Sequence, residues 1–291
     1  MPDPRPAELP LPGGREGARV RVHPLKVAEE SAPPQFWDGA ASRTKFLQAL
    51  VTPRSQWVLL PMPAFLVEHP EAGPILVDTA FDAIVATDRT ANLGRAGAAI
   101  HRPRMKPDDA VPGQLRARGV DPADVRLVVM THLHYDHASG AGQFPGATFV
   151  CTRREWDAAS KGGVLEGYHP PHLVDSVDWR TIEFEDPAAG FDGALDLLGD
   201  GSIRLVSTPG HTDGHMSVLL RVAGGELLLA GDAAYARKTL DQRLVPLYLT
   251  GSRREYEHSL DHLVRHVEAN PDTVVICGHD PWSWPTLEPV Y

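Results

Sequence analysis

Apolar residues fall along this chain in short runs, most of them ended by Gly, Pro or a charged side chain. Runs of that length with β-branched residues predict strands rather than long helices. The pattern predicts strands at 20–27, at 57–60 resuming at 64–68, and at 75–79. The last two make a hairpin around the turn residues His69 to Pro74. Pro24 marks the first strand as an edge strand. Further strands are expected at 126–130, 147–151, 179–184, 203–207, 216–222, 226–230 and 273–277, with Gly224-Gly225 as a hairpin turn. Helical spacing is clear only over 109–118, where Pro112 suits the first turn, over 153–160, and over 253–268, where Tyr256, Leu260, Leu263, Val264 and Val267 form one face. The segments 29–55, 80–107 and 161–178 read as irregular. A disordered Pro/Gly-rich tail over 1–19 and a single domain over 20–291 are expected, because the tail has little to bury.

Strands in both halves, with helices at intervals that let them cover the outer faces, predict an α+β fold. A four-layered αββα sandwich fits this order, although periodicity alone leaves other α+β arrangements open. Hydrophobic content of 42% and charged content of 23% are ordinary for a globular chain of 291 residues. The formal net charge of -10, with no Lys/Arg run, argues against a nucleic-acid partner. No stretch is long and apolar enough for a membrane span, and the first residues lack the apolar core of a signal peptide. A cytoplasmic setting is therefore expected. Cys151 and Cys277 stand alone in strand-like runs, so no disulfide framework is indicated.

The candidate chemistry is concentrated in Thr131-His132-Leu133-His134-Tyr135-Asp136-His137, which directly follows a predicted strand. Imidazole nitrogens and a carboxylate packed this closely are what zinc and similar divalent ions accept. Only 14 residues of the chain are His, so composition does not account for the clustering. Three more ligand-type residues stand at strand ends, His211, Asp232 and His279. Each is preceded by Gly, which lets the backbone turn sharply. Other His are weighed differently. His258, His262 and His266 recur every four residues but are expected on the solvated face of their helix. His215 is expected either to support a ligand or to serve as a packing residue, and His169 and His172 flank two prolines in a loop.

The ordered set His-x-His-x-Asp-His, then His211, Asp232 and His279, resembles the metallo-β-lactamase superfamily from about Val20 to His279. The resemblance implies that His132, His134 and His211 hold one metal, that Asp136, His137 and His279 hold a second, and that Asp232 bridges them. No Cys stands at a ligand position, unlike in some antibiotic-degrading members. Within the superfamily, Gly231-Asp232-Ala233-Ala234-Tyr235 is similar to the N-acyl homoserine lactonases, as are Gly73 to Thr79, Thr208 to His211 and Gly278 to Asp280. That likeness implies that Tyr235 contacts a substrate carbonyl. It also implies quorum-quenching lactone opening by a metal-bridging hydroxide, with Asp136 passing a proton to the leaving alkoxide. The alternatives are another ester, a thioester or a β-lactam on the same site, or a di-iron redox protein. Zinc leads among the metals, with iron, manganese and cobalt suited to the same ligands. Phe36, Trp37, Met62 and Phe65 are candidates to line the substrate pocket, and a homodimer is compatible with the resemblance.

Overall fold

The computed structural model of the chain describes residues 3–36 and 42–291. The first half runs β1 (Arg5–Pro6), β2 (Arg21–Ala32), α1 (Arg43–Val51), β3 (Val58–His69), β4 (Gly73–Val77), α2 (Arg89–Ile100), α3 (Val111–Ala117), β5 (Leu127–Val129), α4 (Tyr135–Ala138), β6 (Thr148–Thr152), α5 (Arg153–Lys161) and β7 (Asp178–Ile182). The second half adds β8 (Ala194–Asp196), β9 (Ile203–Ser207), β10 (Met216–Val222), β11 (Gly225–Gly231), α6 (Arg237–Gln242), α7 (Arg253–Ala269) and β12 (Val274–Cys277). These strands form two sheets, a seven-stranded one in the order β1-β7-β6-β5-β4-β3-β2 and a five-stranded one in the order β12-β11-β10-β9-β8.

Period-two alternation divides the side chains among three apolar layers. Ile75 and Val77 point inward with Leu127 and Val129, and they meet Val218, Leu220, Leu227 and Leu229 of the other sheet. Their neighbours Leu76, Val128 and Phe149 point outward and pack under Leu93, Leu115 and Trp156 of α2, α3 and α5. On the far side, Leu219 and Leu228 pack under Tyr256, Leu260 and Leu263 of α7. Helices, sheet, sheet and helix are therefore stacked in the expected αββα order. Cys151 and Cys277 are buried in opposite outer layers and are both free.

Several expectations are corrected. Residues 3–19 do not form a disordered tail. β1 pairs in parallel with β7, the Leu11 amide donates to the Leu197 carbonyl at 2.8 Å, and Leu9 and Leu11 pack against the layer between the sheets. Few large apolar residues suffice there because hydrogen bonds to a sheet edge do the anchoring. The segments read as irregular contain α1 and α2. The large apolar residues of α1, Phe46, Leu47, Leu50 and Val51, are exposed, so no buried stripe announces the helix. In α2, Gly94 at φ 66° interrupts an Ala/Gly-rich sequence whose contact with the core is Leu93 and small residues.

β3 is one continuous strand through Pro61 and Pro63 rather than two pieces. β4 pairs only with Phe65 to His69, so the half of β3 that holds the prolines has a partner on one side alone. A missing N–H is tolerated there. β2, as Pro24 suggested, is the outer strand of its sheet.

Candidate metal centre

β4, β5, β6 and β7 run parallel in one sheet, and β11 and β12 run parallel in the other. The Met216 amide donates to the Thr131 carbonyl at 3.0 Å and stitches the sheets together where β5 ends. The loop after β5 carries His132 and His134 and α4 carries Asp136 and His137. The β9–β10 connection supplies His211, Asp232 immediately follows β11, and His279 lies just past β12. Glycine is required at two of these turns. A Cβ on Gly278 would lie 2.5 Å from Asp232 Oδ1, and one on Gly231, at φ 54°, would lie 2.7 Å from His215 Nε2.

All seven residues converge in a buried cluster, with Asp136 the most accessible of them. The donor atoms of His132, His134 and His211 lie within 4.8 Å of one another, as do those of Asp136, His137 and His279. Asp232 stands between these trios, with ligand nitrogens of both in reach of its carboxylate. Its Oδ2 is 3.3 Å from both His211 Nε2 and His279 Nε2 and 3.9 Å from His132 Nε2, and its Oδ1 is 3.1 Å from His279 Nε2 and 3.5 Å from His137 Nε2. His132 Nε2, His137 Nε2 and Asp232 Oδ1 are buried without a hydrogen-bond partner. Orphaned polar atoms this deep are costly unless something else binds them. An all-nitrogen-and-oxygen donor set fits divalent metal ions.

Burial pulls His134 down to about 4 and His132 and His211 well below the usual imidazole value, with the neighbouring imidazoles adding to the effect for His132. His137 and His279 go the other way. Burial opposes their charge, but Asp136, Asp78 and Asp232 raise His137 to about 10, and Asp232 with Asp136 raises His279 to about 9. Burial likewise opposes ionisation of Asp232, yet His279, His211 and His137 hold its carboxyl well below the usual range.

A second set of residues aims the imidazoles, a role that sequence reading did not assign. Asp78 Oδ2 lies 2.8 Å from His137 Nδ1 and accepts from Thr131 Oγ1 at 2.7 Å, while Asp78 Oδ1 accepts from the Thr131 amide at 2.8 Å. His279 Nδ1 lies 2.8 Å from the Pro61 carbonyl, on the half of β3 that β4 leaves free. These contacts turn the Nε2 atoms of His137 and His279 toward Asp232. His134 is oriented the other way round, with Nε2 3.2 Å from Thr250 Oγ1 and Nδ1 3.0 Å from His211 Nε2. His215, expected either to support a ligand or to pack, accepts from the Asp232 amide through Nε2 at 3.0 Å. Buried Glu155 ties two ligand loops together by accepting from the Leu133 and Gly214 amides, Thr212 Oγ1 and the Tyr168 hydroxyl.

Tyr235 has its hydroxyl 3.2 Å from His211 Nδ1, and its ring is about equally far from the His211 and His279 rings, 5.5 and 5.6 Å between centroids. Tyr168 and Tyr248 border the other side, 4.8 and 6.1 Å from the His134 ring. Of the four pocket candidates, Phe36 is half-buried and its carbonyl accepts from the Leu247 amide beside Tyr248. Met62 and Phe65, 4% and 6% exposed, are packed into two different apolar layers and offer no surface to a ligand. Alternation along β3 sends them to opposite faces of the sheet. Trp37 lies outside the described residues. The signal for Asp78 was a carboxylate ending an apolar strand. Tyr168 and Tyr248 sit in irregular segments that carried no comparable signal.

The sandwich and its strand-end His/Asp cluster define an αββα metallohydrolase architecture. The chain belongs to the metallo-beta-lactamase superfamily, whose family model matches residues 59–279. It is 34% identical to the N-acyl homoserine lactonase AttM of Azorhizobium caulinodans over 79% of this chain and 85% of that protein. A solved quorum-quenching N-acyl homoserine lactone hydrolase superposes with a TM-score of 0.74 at 21% identity, covering 94% of this chain and 98% of the other. AidC, a dizinc quorum-quenching lactonase solved with a product bound, superposes at 0.61 and 14% identity, covering 94% and 90%.

Proposed function

We propose that this protein opens the lactone ring of N-acyl homoserine lactones with the help of two divalent ions, zinc foremost. His132, His134 and His211 would hold one ion, Asp136, His137 and His279 the other, and Asp232 would reach both. The observation that carries the reading is the placement of Asp232, whose carboxylate lies 3.3 Å from His211 of one trio and 3.1 Å from His279 of the other, with Oδ1 buried and without a hydrogen-bond partner. The 34% identity to a relative named for this activity supports the substrate class. Divalent ions in such a site lower the pKa of water from about 16 to about 7 and polarise a carbonyl, which removes the need for a Ser or Cys nucleophile.

The chain's own groups then have distinct tasks. With Nε2 of His211 turned into the cluster, its Nδ1–H donates to the Tyr235 oxygen and leaves the Tyr235 proton free for a substrate. Burial, with Asp232 nearby, keeps that phenol protonated far above neutral pH. Tyr235 is thus a donor for the charge that develops on the lactone oxygen. Burial opposes the charge on Asp136, but His137 and His279 hold its pKa below the ordinary carboxylate value. As the most accessible of the seven, it is the group to take a proton and return it to the departing alkoxide. A homodimer and a cytoplasmic setting belong to the same proposal, and no helix among the described residues is long and apolar enough to cross a membrane.

The test is hydrolysis of homoserine lactones of short, medium and long acyl chains, followed as proton release, with metal content measured on the same sample. Metal-loaded protein that leaves all of them intact, while cleaving an ester, thioester or β-lactam, would move the activity to that carbonyl. Tyr235→Phe should lower kcat about a hundredfold while both ions stay bound. An unchanged rate removes Tyr235 from the reaction.

A further inference from the structure

The His stripe on α7, expected to be a solvated face, is only partly one. His262 and His266 are half-buried, and His266 is taken up by Glu226 at 2.6 Å. His258 and His262 stand one helical turn apart and so point the same way. The chain before β8 brings a third donor across to them. Phe191 is buried under α7 in the outer layer of the smaller sheet, which fixes its neighbour Asp192 against the two imidazoles.

The three donors converge on one point. His258 Nε2 is 2.8 Å from Asp192 Oδ2, His262 Nε2 is 3.4 Å from Asp192 Oδ1, and the two Nε2 atoms are 3.1 Å apart. Ligands about 2.1 Å from a tetrahedral zinc are separated by roughly 3.3 Å, which is the scale of this triangle. His262 Nδ1 donates to the Gly190 carbonyl and its ring lies nearly parallel to Phe191, with centroids 6.0 Å apart and planes at 25°. That contact fixes the tautomer in which Nε2 presents a lone pair, the usual support of a metal-binding His. The side chains of His258 and Asp192 are 55% and 60% exposed, so an ion can enter and keep water in its remaining position.

We propose that Asp192, His258 and His262 form a separate surface site for a divalent transition ion of the zinc type. Binding pins the Gly190–Asp192 turn to α7. Two imidazoles and one carboxylate select against magnesium and calcium, which prefer all-oxygen shells. The cluster shares no residue with the buried centre, so the proposal does not depend on the lactonase reading.

The experiment is equilibrium dialysis of the full chain against zinc, with bound metal counted per chain. It compares the natural protein with His258→Ala/His262→Ala, with Asp192→Asn, and with Asp261→Ala as a control on the same helix. The natural protein and the control should bind about one zinc more than either site variant. Lactone hydrolysis should be equal in all four, and added zinc should raise the melting temperature of the natural protein above that of Asp192→Asn. Because the readout is a difference, it stands whatever number of ions the buried centre holds. Equal zinc content in the natural protein and Asp192→Asn, or an extra equivalent that survives in the folded double variant, overturns the site.

Discussion

On one side of Asp232, burial strips His132, His134 and His211 of their protons, whereas on the other, His137 and His279 keep theirs because carboxylates crowd them. The side chains are nearly the same and equally deep. What differs is the number of acidic neighbours, with Asp78 and Asp136 both lying on the second side. The first side is ready for a cation at neutral pH with no proton to release. The second must give up protons, so its affinity is expected to fall more steeply on acidification. One carboxylate, Asp232, joins two half-sites of opposite electrostatic character.

The largest effect is expected where that joining residue is changed. Asp232→Asn keeps the size but removes the charge from both half-sites. We expect a loss of more than about a hundredfold in lactone hydrolysis, with fewer than two ions retained after gentle purification. Unaltered turnover and two retained ions would sink the two-ion scheme. Asp78→Asn acts more strongly on one side, since Asp78 contacts His137 directly and reaches the other trio only through Thr131, whose Oγ1 lies 3.1 Å from His132 Nδ1. The expected outcome is a ten- to hundredfold weaker affinity for one ion with a smaller effect on the other, read by competition with a chelator. Equal weakening of both ions would mean that the half-sites are not independent.

The difference between the half-sites was not legible in the sequence, although their membership was. Ligand identity is written in short-range signals, a His/Asp cluster directly after one apolar run and a Gly-His or Gly-Asp pair at three other strand ends, and the seven residues so marked lie together. The layer order was legible for the same reason, because Ile75-Leu76-Val77 and Val218-Leu219-Leu220 alternate cleanly between faces. Asp78 and the Pro61 carbonyl meet His137 and His279 across 59 and 218 residues of chain, and no local pattern reports such pairings. Asp192 was hidden in the same way from His258 and His262. The docked N-terminal segment was missed because backbone hydrogen bonds to a sheet edge leave no trace in hydrophobicity. α1 and α2 were missed because one turns its large apolar residues outward and the other packs through small ones.

The smallest effect, per group, is on the stability of the metal-free protein as pH changes. Unfolded imidazoles titrate near 6.5. Burial holds His134 at about 4 and His172 and His215 at about 3 in the folded state. Below 6.5 the unfolded chain therefore takes up protons that the folded one refuses, and stability declines on acidification by on the order of 1 kcal/mol per imidazole per pH unit. His132 and His211 push in the same direction. For His137 and His279 the sign reverses. Their contribution is complete below 6.5 and is lost as pH rises through about 9 and 10. Chelated protein should thus melt highest near neutral pH, with a steeper acid limb from the more numerous neutral imidazoles and a shallower alkaline limb. Metal-loaded protein should lack the alkaline limb, because ions there displace the protons that His137 and His279 would otherwise lose. Thermal melts from pH 4 to 10, with and without chelator, read both limbs. An alkaline limb of equal size in the two samples would remove the charged half-site from the comparison.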